Sequence, residues 1–168
     1  MKIEEKNIIL NDKQIRSKLK RISYQIVETN MKNSKLIIAG IEPNGYKIAK
    51  ELQKITDSIS KLDVQLCKVI IDKEKPRNPV KTSLKESDYE NKSIILVDDV
   101  LNSGSTLIYG VKHFLNVELK QFKTAVLVNR NHKKFPVKAD FKGISLSTSM
   151  QNHVKVEFKG SNIQVILI

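Results

Sequence analysis

Cysteine is almost absent from this chain: Cys67 is the only one in 168 residues. A lone cysteine excludes an internal disulfide framework and points to a reducing compartment. Long apolar runs are missing as well, since no stretch approaches the roughly 18 residues that a membrane span needs. The opening Met1-Lys2-Ile3-Glu4-Glu5-Lys6 carries acids where a secretory leader would be apolar. A soluble cytoplasmic protein with no membrane partner is the expectation. Arginine occurs only at 16, 21, 77 and 130, although Lys and Arg together number 30 against 18 Asp and Glu. The resulting charge of +12 and pI near 9.7 favour anionic partners, either phosphorylated metabolites or nucleic acid. Because that charge is nearly all lysine, which lacks the guanidinium fork, a solvated basic surface accounts for it equally well. His113, His132 and His153 have no metal-ligand spacing, so a transition-metal centre is not expected. No G-x-x-x-x-G-K-[ST] and no G-x-S-x-G occurs, which removes the P-loop and the covalent hydrolase elbow.

What is present has ordinary globular proportions. Hydrophobic residues make up 40% and charged residues 29%, enough apolar content for a packed core in one domain spanning 1–168. Residues 11–30 predict a helix: Asn11 with Gln14 makes a capping box, and Ile15, Leu19, Ile22 and Ile26 form one stripe. Residues 35–41 predict a buried strand, followed by the turn Glu42-Pro43-Asn44-Gly45. A second helix then aligns Ile48, Ala49, Leu52 and Ile55, and residues 62–71 predict another strand. Residues 72–92 lack periodicity and apolar content, which suggests a lid or mobile binding loop, or else a connection with no task. Residues 93–97 form a dense apolar strand, and a third helix carries Leu107, Val111, Phe114 and Leu115. Residues 124–128 predict a further strand, and 140–168 several short ones. The alternation of strands and helices gives an α/β fold with a mainly parallel sheet.

The chemistry concentrates in Ile94-Ile95-Leu96-Val97-Asp98-Asp99-Val100-Leu101-Asn102-Ser103-Gly104-Ser105-Thr106. In such folds ligands bind at the carboxyl ends of parallel strands. Asn102, Ser103, Gly104, Ser105 and Thr106 offer small side chains, hydroxyls and a glycine, and the next helix points its N-terminal N–H groups into that turn. Together these make a phosphate cradle. Asp98 and Asp99 would repel phosphate. They are better used in accepting hydrogen bonds from ribose hydroxyls, with a divalent cation nearby. The same residues also suit plain helix capping and chain reversal.

This run, an apolar strand, Asp-Asp, two residues and Asn-Ser-Gly-Ser-Thr, resembles the 5-phosphoribosyl-1-diphosphate (PRPP) motif of type I phosphoribosyltransferases. Four further segments are similar to the PyrR family, bifunctional regulators of pyrimidine genes with uracil phosphoribosyltransferase activity. They are the opening helix from Gln14 to Ile22, Ile38-Ala39-Gly40-Ile41-Glu42-Pro43-Asn44-Gly45, residues 62–68, and Ala125-Val126-Leu127-Val128-Asn129-Arg130-Asn131-His132 with the segments after it.

The resemblance implies a sheet flanked by helices with a small hood of strands, and transfer of ribose-5-phosphate to a nucleobase, uracil in that family. It implies that Asp98 and Asp99 bind ribose, that residues 102–106 hold the 5-phosphate, and that Glu42, Pro43, Asn44 and Gly45 line the diphosphate. Val128, Asn129 and Arg130 would lie near the base, with Lys73, Lys75 and Arg77 on a lid. No catalytic residue is assigned. Mg²⁺ would be held mainly through PRPP, without dedicated protein ligands. A homodimer or higher homo-oligomer is implied, and RNA as a second partner. The rival reading is an RNA-binding regulator that keeps the pocket only as a sensor.

The chain departs from the family pattern at several positions. Asn44 and Ser105 stand where arginines are usual, Lys68 replaces the hood arginine, and Val69 and Ile70 replace the acids after it. Asn129 replaces an aspartate. Elsewhere, Cys67 suits core packing, and His113 a surface or boundary position. His132, beside Arg130, Lys133 and Lys134, suits a ligand or RNA contact, or else a solvated turn.

For RNA, Lys18, Lys20 and Arg21 of the first helix and Lys133, Lys134 and Lys138 would form one basic surface if the fold brings them together.

Overall fold

A computed structural model describes residues 7–168. The chain starts with strand β1 (Asn7–Leu10) and helix α1 (Asp12–Thr29). The expected capping box is formed: Asn11 Oδ1 accepts the Gln14 amide at 2.9 Å, and Gln14 Oε1 accepts the Asn11 amide at 3.0 Å. The stripe Ile15, Leu19, Ile22 and Ile26 is fully buried. Strand β2 (Lys35–Ile41) leads into α2 (Asn44–Ile59), then β3 (Asp63–Ile70). After β4 (Lys81–Thr82) and α3 (Glu86–Tyr89) come β5 (Ser93–Leu101), α4 (Ser105–Phe114) and β6 (Gln121–Arg130). β7 (Phe141–Leu146), β8 (Val154–Lys159) and β9 (Asn162–Leu167) complete it.

Six strands form one sheet in the order β4-β3-β2-β5-β6-β7, parallel throughout except for the short edge strand β4. Alternate residues of each strand feed two cores, as the period of two requires. Leu36, Ile38, Ile95 and Val97 pack with α1 and α2 on one face, and Ile37, Ala39, Ile94 and Leu96 pack with α3 and α4 on the other. The remaining strands form a separate antiparallel sheet, β1-β9-β8, which is the hood. Val156, Ile163 and Val165 join the hood to the α1/α2 core. It is also pinned to the starts of both helices: Asp12 accepts the Ile163 amide, and Asn44 donates to the Val156 carbonyl.

Several sequence expectations change here. Strand β1 has no periodic signal of its own; it exists because β9 offers an edge to pair with. Helix α2 begins at Asn44, so Asn44 and Gly45 belong to its first turn rather than to a loop before it. Leu115 is 60% exposed and does not continue the apolar face of α4. Residues 72–92 are not structureless throughout. They contain β4 and α3, with Tyr89 buried edge-on against Phe114 at 5.0 Å between centroids. Val80 and Leu84 pack against the same core, which leaves 72–79 as the longest stretch with neither regular structure nor a side chain in that core.

Candidate functional site

Strand β5 carries Asp98 and Asp99 near its carboxyl end, and the turn of 102–104 delivers the chain to α4. Gly104 is the residue before that helix, at φ +86° and ψ 0°, with no side-chain cap. A Cβ there would lie 2.6 Å from Val137 Cγ1 in a backbone conformation that L side chains rarely adopt, so glycine is required twice over. The turn is braced from outside, because the amides of Lys134 and Phe135 both donate to the Ser103 carbonyl, at 2.8 and 3.0 Å. The Ile108 amide bonds the Gly104 carbonyl at 2.9 Å. The amides of Thr106 and Leu107 precede that bond and have no helical carbonyl within reach. They face the end of the helix that favours negative charge.

A cavity of about 280 Å³ opens at this point, lined by the whole run of 98–107 together with Lys73, Val126 of β6, and Val154 and Lys155 of the hood. All seven residues expected at the ribose and the 5-phosphate therefore line one space. Lys73 joins them, with Nζ 3.8 Å from Asp98 Oδ1. Lys75 and Arg77 are not among its lining residues. Val154 and Lys155 were not candidates in the sequence, because the hood meets the sheet only in three dimensions.

The two aspartates differ in environment. Asp98 is 4% exposed, and burial, reinforced by the charge of Asp99, pushes its carboxyl up to about 8. Lys73 and the Asp99 amide, 2.9 Å from Asp98 Oδ1, work in the opposite direction. Asp99 is half-buried: Oδ1 accepts the Val100 amide at 2.8 Å, and Oδ2 accepts Asn44 Nδ2 at 3.0 Å. Asn44 also donates to the Val156 carbonyl at 3.0 Å, so one amide ties α2, the second aspartate and the hood together. Gly45 allows this approach, since a Cβ on it would lie 2.6 Å from the Val97 carbonyl. Glu42 ion-pairs with Lys68 at 3.4 Å, and the Lys68 ammonium stands 5.1 Å from the Tyr46 ring centre. Residues 42–45 thus touch the site through Asn44 and Gly45, while Glu42 is occupied with Lys68.

The three residues expected near the base separate. Val128 is fully buried in the core shared with the hood. Asn129 donates to Ser145 Oγ at 3.2 Å while its Oδ1 is buried without a hydrogen-bond partner. Arg130, 7% exposed, donates to Asn102 Oδ1, to Thr148 Oγ1 through two nitrogens, and to the Ser149 carbonyl. It therefore locks the phosphate turn to the segment before β8. His132 is drawn into the same arrangement by the Thr148 carbonyl. Cys67 is fully buried and burial pushes its thiol up, in keeping with a packing role.

The two basic segments considered for RNA do not share a surface. Helix α1 packs on one face of the sheet, whereas Val137 and Ala139 tie the 131–139 crossover to the core of the other face. Arg21 is also committed, donating to the Lys142 and Gly143 carbonyls at 2.9 Å.

Among the described residues no group of three or more His, Cys, Asp or Glu gathers. Asp98 and Asp99 do supply adjacent hard oxygen donors. That suits Mg²⁺, which keeps waters and takes one or two carboxylates beside the phosphates of its ligand. No helix among the described residues is long and apolar enough to cross a membrane.

Comparison with known proteins gives a family and a fold. Residues 6–159 match the phosphoribosyl transferase domain. The chain is 32% identical over 157 residues to a bifunctional protein PyrR of Streptococcus thermophilus, covering 90% of each. It is 31% identical over 172 residues to that of Bacillus cereus, covering 96% of each. In fold it resembles the hypoxanthine phosphoribosyltransferase of Trypanosoma cruzi, with TM-score 0.75, 15% identity and 95% of both chains covered. A hypoxanthine-guanine phosphoribosyltransferase from Bacillus anthracis aligns with TM-score 0.71 and 20% identity, over 84% of this chain and 82% of the other.

Proposed function

We propose, since this chain belongs to the phosphoribosyl transferase family, that it transfers the ribose-5-phosphate of PRPP to a nucleobase and releases diphosphate. The observation that carries this reading is the single cavity in which Asp98, Asp99 and the N-terminal end of α4 converge. In the reaction the C1–O bond to diphosphate breaks as a base nitrogen bonds to C1 and yields its proton to the departing diphosphate or to water, through a transition state of oxocarbenium character. The amides at the start of α4 and the small side chains of 102–106 grip the 5-phosphate and fix the sugar. Asp98 and Asp99 take the ribose hydroxyls, and Asn44 holds Asp99 in place from the side. Lys73 brings positive charge to the mouth of the cavity. Mg²⁺, held mainly through PRPP oxygens with the Asp99 side chain beside it, would neutralise charge on the leaving diphosphate. Closure of residues 72–79 would exclude water. Uracil is the base we assign, on the resemblance to the PyrR family.

The test is calorimetric titration with PRPP and Mg²⁺, followed by a diphosphate-release assay against uracil, hypoxanthine, guanine and adenine. Asp99→Asn should lower PRPP affinity at least about tenfold while the protein stays folded, with the loss of one hydrogen bond, from Asn44 or Val100, costing about 1 kcal/mol. Unaltered affinity in that variant removes the ribose role, and release with purines alone removes uracil.

RNA binding is the second activity that the PyrR relatives suggest. With the two basic segments on opposite faces, binding to a pyrimidine-operon leader should be steeply salt-dependent. Equal affinity for an unrelated RNA of the same length at two salt concentrations would reduce it to nonspecific attraction.

A further inference from the structure

Arg77, expected beside the diphosphate, lies elsewhere. With Asn78 it lines a second cavity of about 150 Å³, whose other wall includes Tyr109, Lys112 and His113 of α4. No carboxylate is among its lining residues. Arg77 has no ion-pair partner among the described residues, and the Lys112 ammonium rests 5.8 Å from the Tyr109 ring centre. His113 is half-buried with its Nε2 unpartnered, and burial holds the imidazole below its ordinary value. A guanidinium, an ammonium and a protonatable imidazole thus border one small space. Such groups supply charge-assisted donors for phosphoryl oxygens. At about 30 Å³ per water the space holds about five waters, and it has roughly half the volume of the main cavity. Its occupant is one oxyanion group rather than a whole nucleotide.

The loop that brings Arg77 here is internally tied. Asp72 accepts the amides of Glu74 and Lys75 at 3.0 and 2.9 Å, and Asn78 Nδ2 at 3.1 Å, while the Asn78 amide bonds the Lys75 carbonyl. One end of this turn carries Lys73, 3.8 Å from Asp98, and the other carries Arg77 and Asn78 into the second cavity.

We propose that this cavity is a second site, for a single phosphate group, and that its occupation clamps the 72–78 turn against α4. The consequence for Lys73 in the main cavity rests on the proposed function; the binding itself does not.

The full-length protein is titrated with inorganic phosphate while the His113 ring and the backbone amides are followed by NMR. Glu86 from α3 acts on His113 against its burial, and Lys112 on its own helix and Arg77 opposite line the same cavity. A bound anion favours the imidazolium, so the apparent His113 pKa should rise with phosphate, and amide exchange across 72–78 should slow. The exposed pair Arg77→Gln with Lys112→Gln should lower the affinity read at His113 about tenfold or more. Phosphate-induced shifts at Gly104, Ser105 and Thr106 should persist in that variant. A parallel series with uridine monophosphate separates the sources: movement of His113 by the free ion alone assigns inorganic phosphate, and movement by both assigns the tail of a nucleotide as well. A His113 ring unmoved by phosphate, or moved equally in the double variant, overturns the site. Silence at Gly104, Ser105 and Thr106 with His113 still responding would count against the proposed function and leave this site standing.

Discussion

Replacing Asp98 with asparagine isolates the cost of burying a carboxylate at the end of β5. The side chain is 4% exposed, and its carboxyl rises from 3.8 to about 8 because burial and the neighbouring Asp99 both oppose ionisation. Below pH 3.8 the folded and unfolded chains both hold the proton, and the group contributes nothing to pH dependence. Between 3.8 and about 8 only the folded chain holds it, so stability falls as pH rises; above that range the loss is complete. At 1.36 kcal/mol per pH unit, the interval corresponds to at most about 6 kcal/mol, comparable with the whole stability of many domains. Asparagine keeps an oxygen for the Asp99 amide and has no charge to bury. Asp98→Asn should therefore match the parent near pH 4 and exceed it by several kcal/mol at pH 9. Urea unfolding at pH 4, 6.5 and 9 reads this directly, as a midpoint difference that widens with pH at constant slope. Midpoints that run parallel at all three pH values would show that the carboxyl is not held protonated by burial.

Gly45→Ala would place a methyl 2.6 Å from the Val97 carbonyl. It should cost about 2 kcal/mol and weaken PRPP binding by moving α2 away from Asp98; an unchanged unfolding midpoint refutes it. Arg130→Met keeps the stem but leaves Asn102, Thr148 and Ser149 without their donor. It should cost about 3 kcal/mol, with faster amide exchange before β8, and normal protection there would sink the locking role. Hydrogen exchange should divide 72–92 in two, with fast exchange at Arg77, which lies between Pro76 and the tied Asn78, and protection at Ser83 and Asp88, whose amides bond Lys68 and Lys85 carbonyls. Uniform protection across the segment would argue against a lid.

Much of this architecture was legible in one dimension, and the reason is periodicity. The stripe of α1 and the apolar runs of β2, β5 and β6 declare themselves because each element repeats at its own period. The phosphate turn was legible for a related reason: strand end, small residues, Gly104 and helix start are contiguous, so one stretch of sequence builds the cradle. Strand β1 and the burial of Tyr89 were not, because each depends on a partner that only the folded chain supplies. The same holds for the finer chemistry of the site. Asn44 meets Asp99 across 55 residues and Val156 across 112, and Arg130 meets Asn102 across 28. No local pattern encodes such meetings, since a hydrogen bond between distant side chains exists only once helix, sheet and hood have packed. Lys73 and Arg77 show this most sharply. Four positions apart on one loop, they look alike in sequence, yet the turn fastened by Asp72 sends one to the aspartates and the other to the flank of α4.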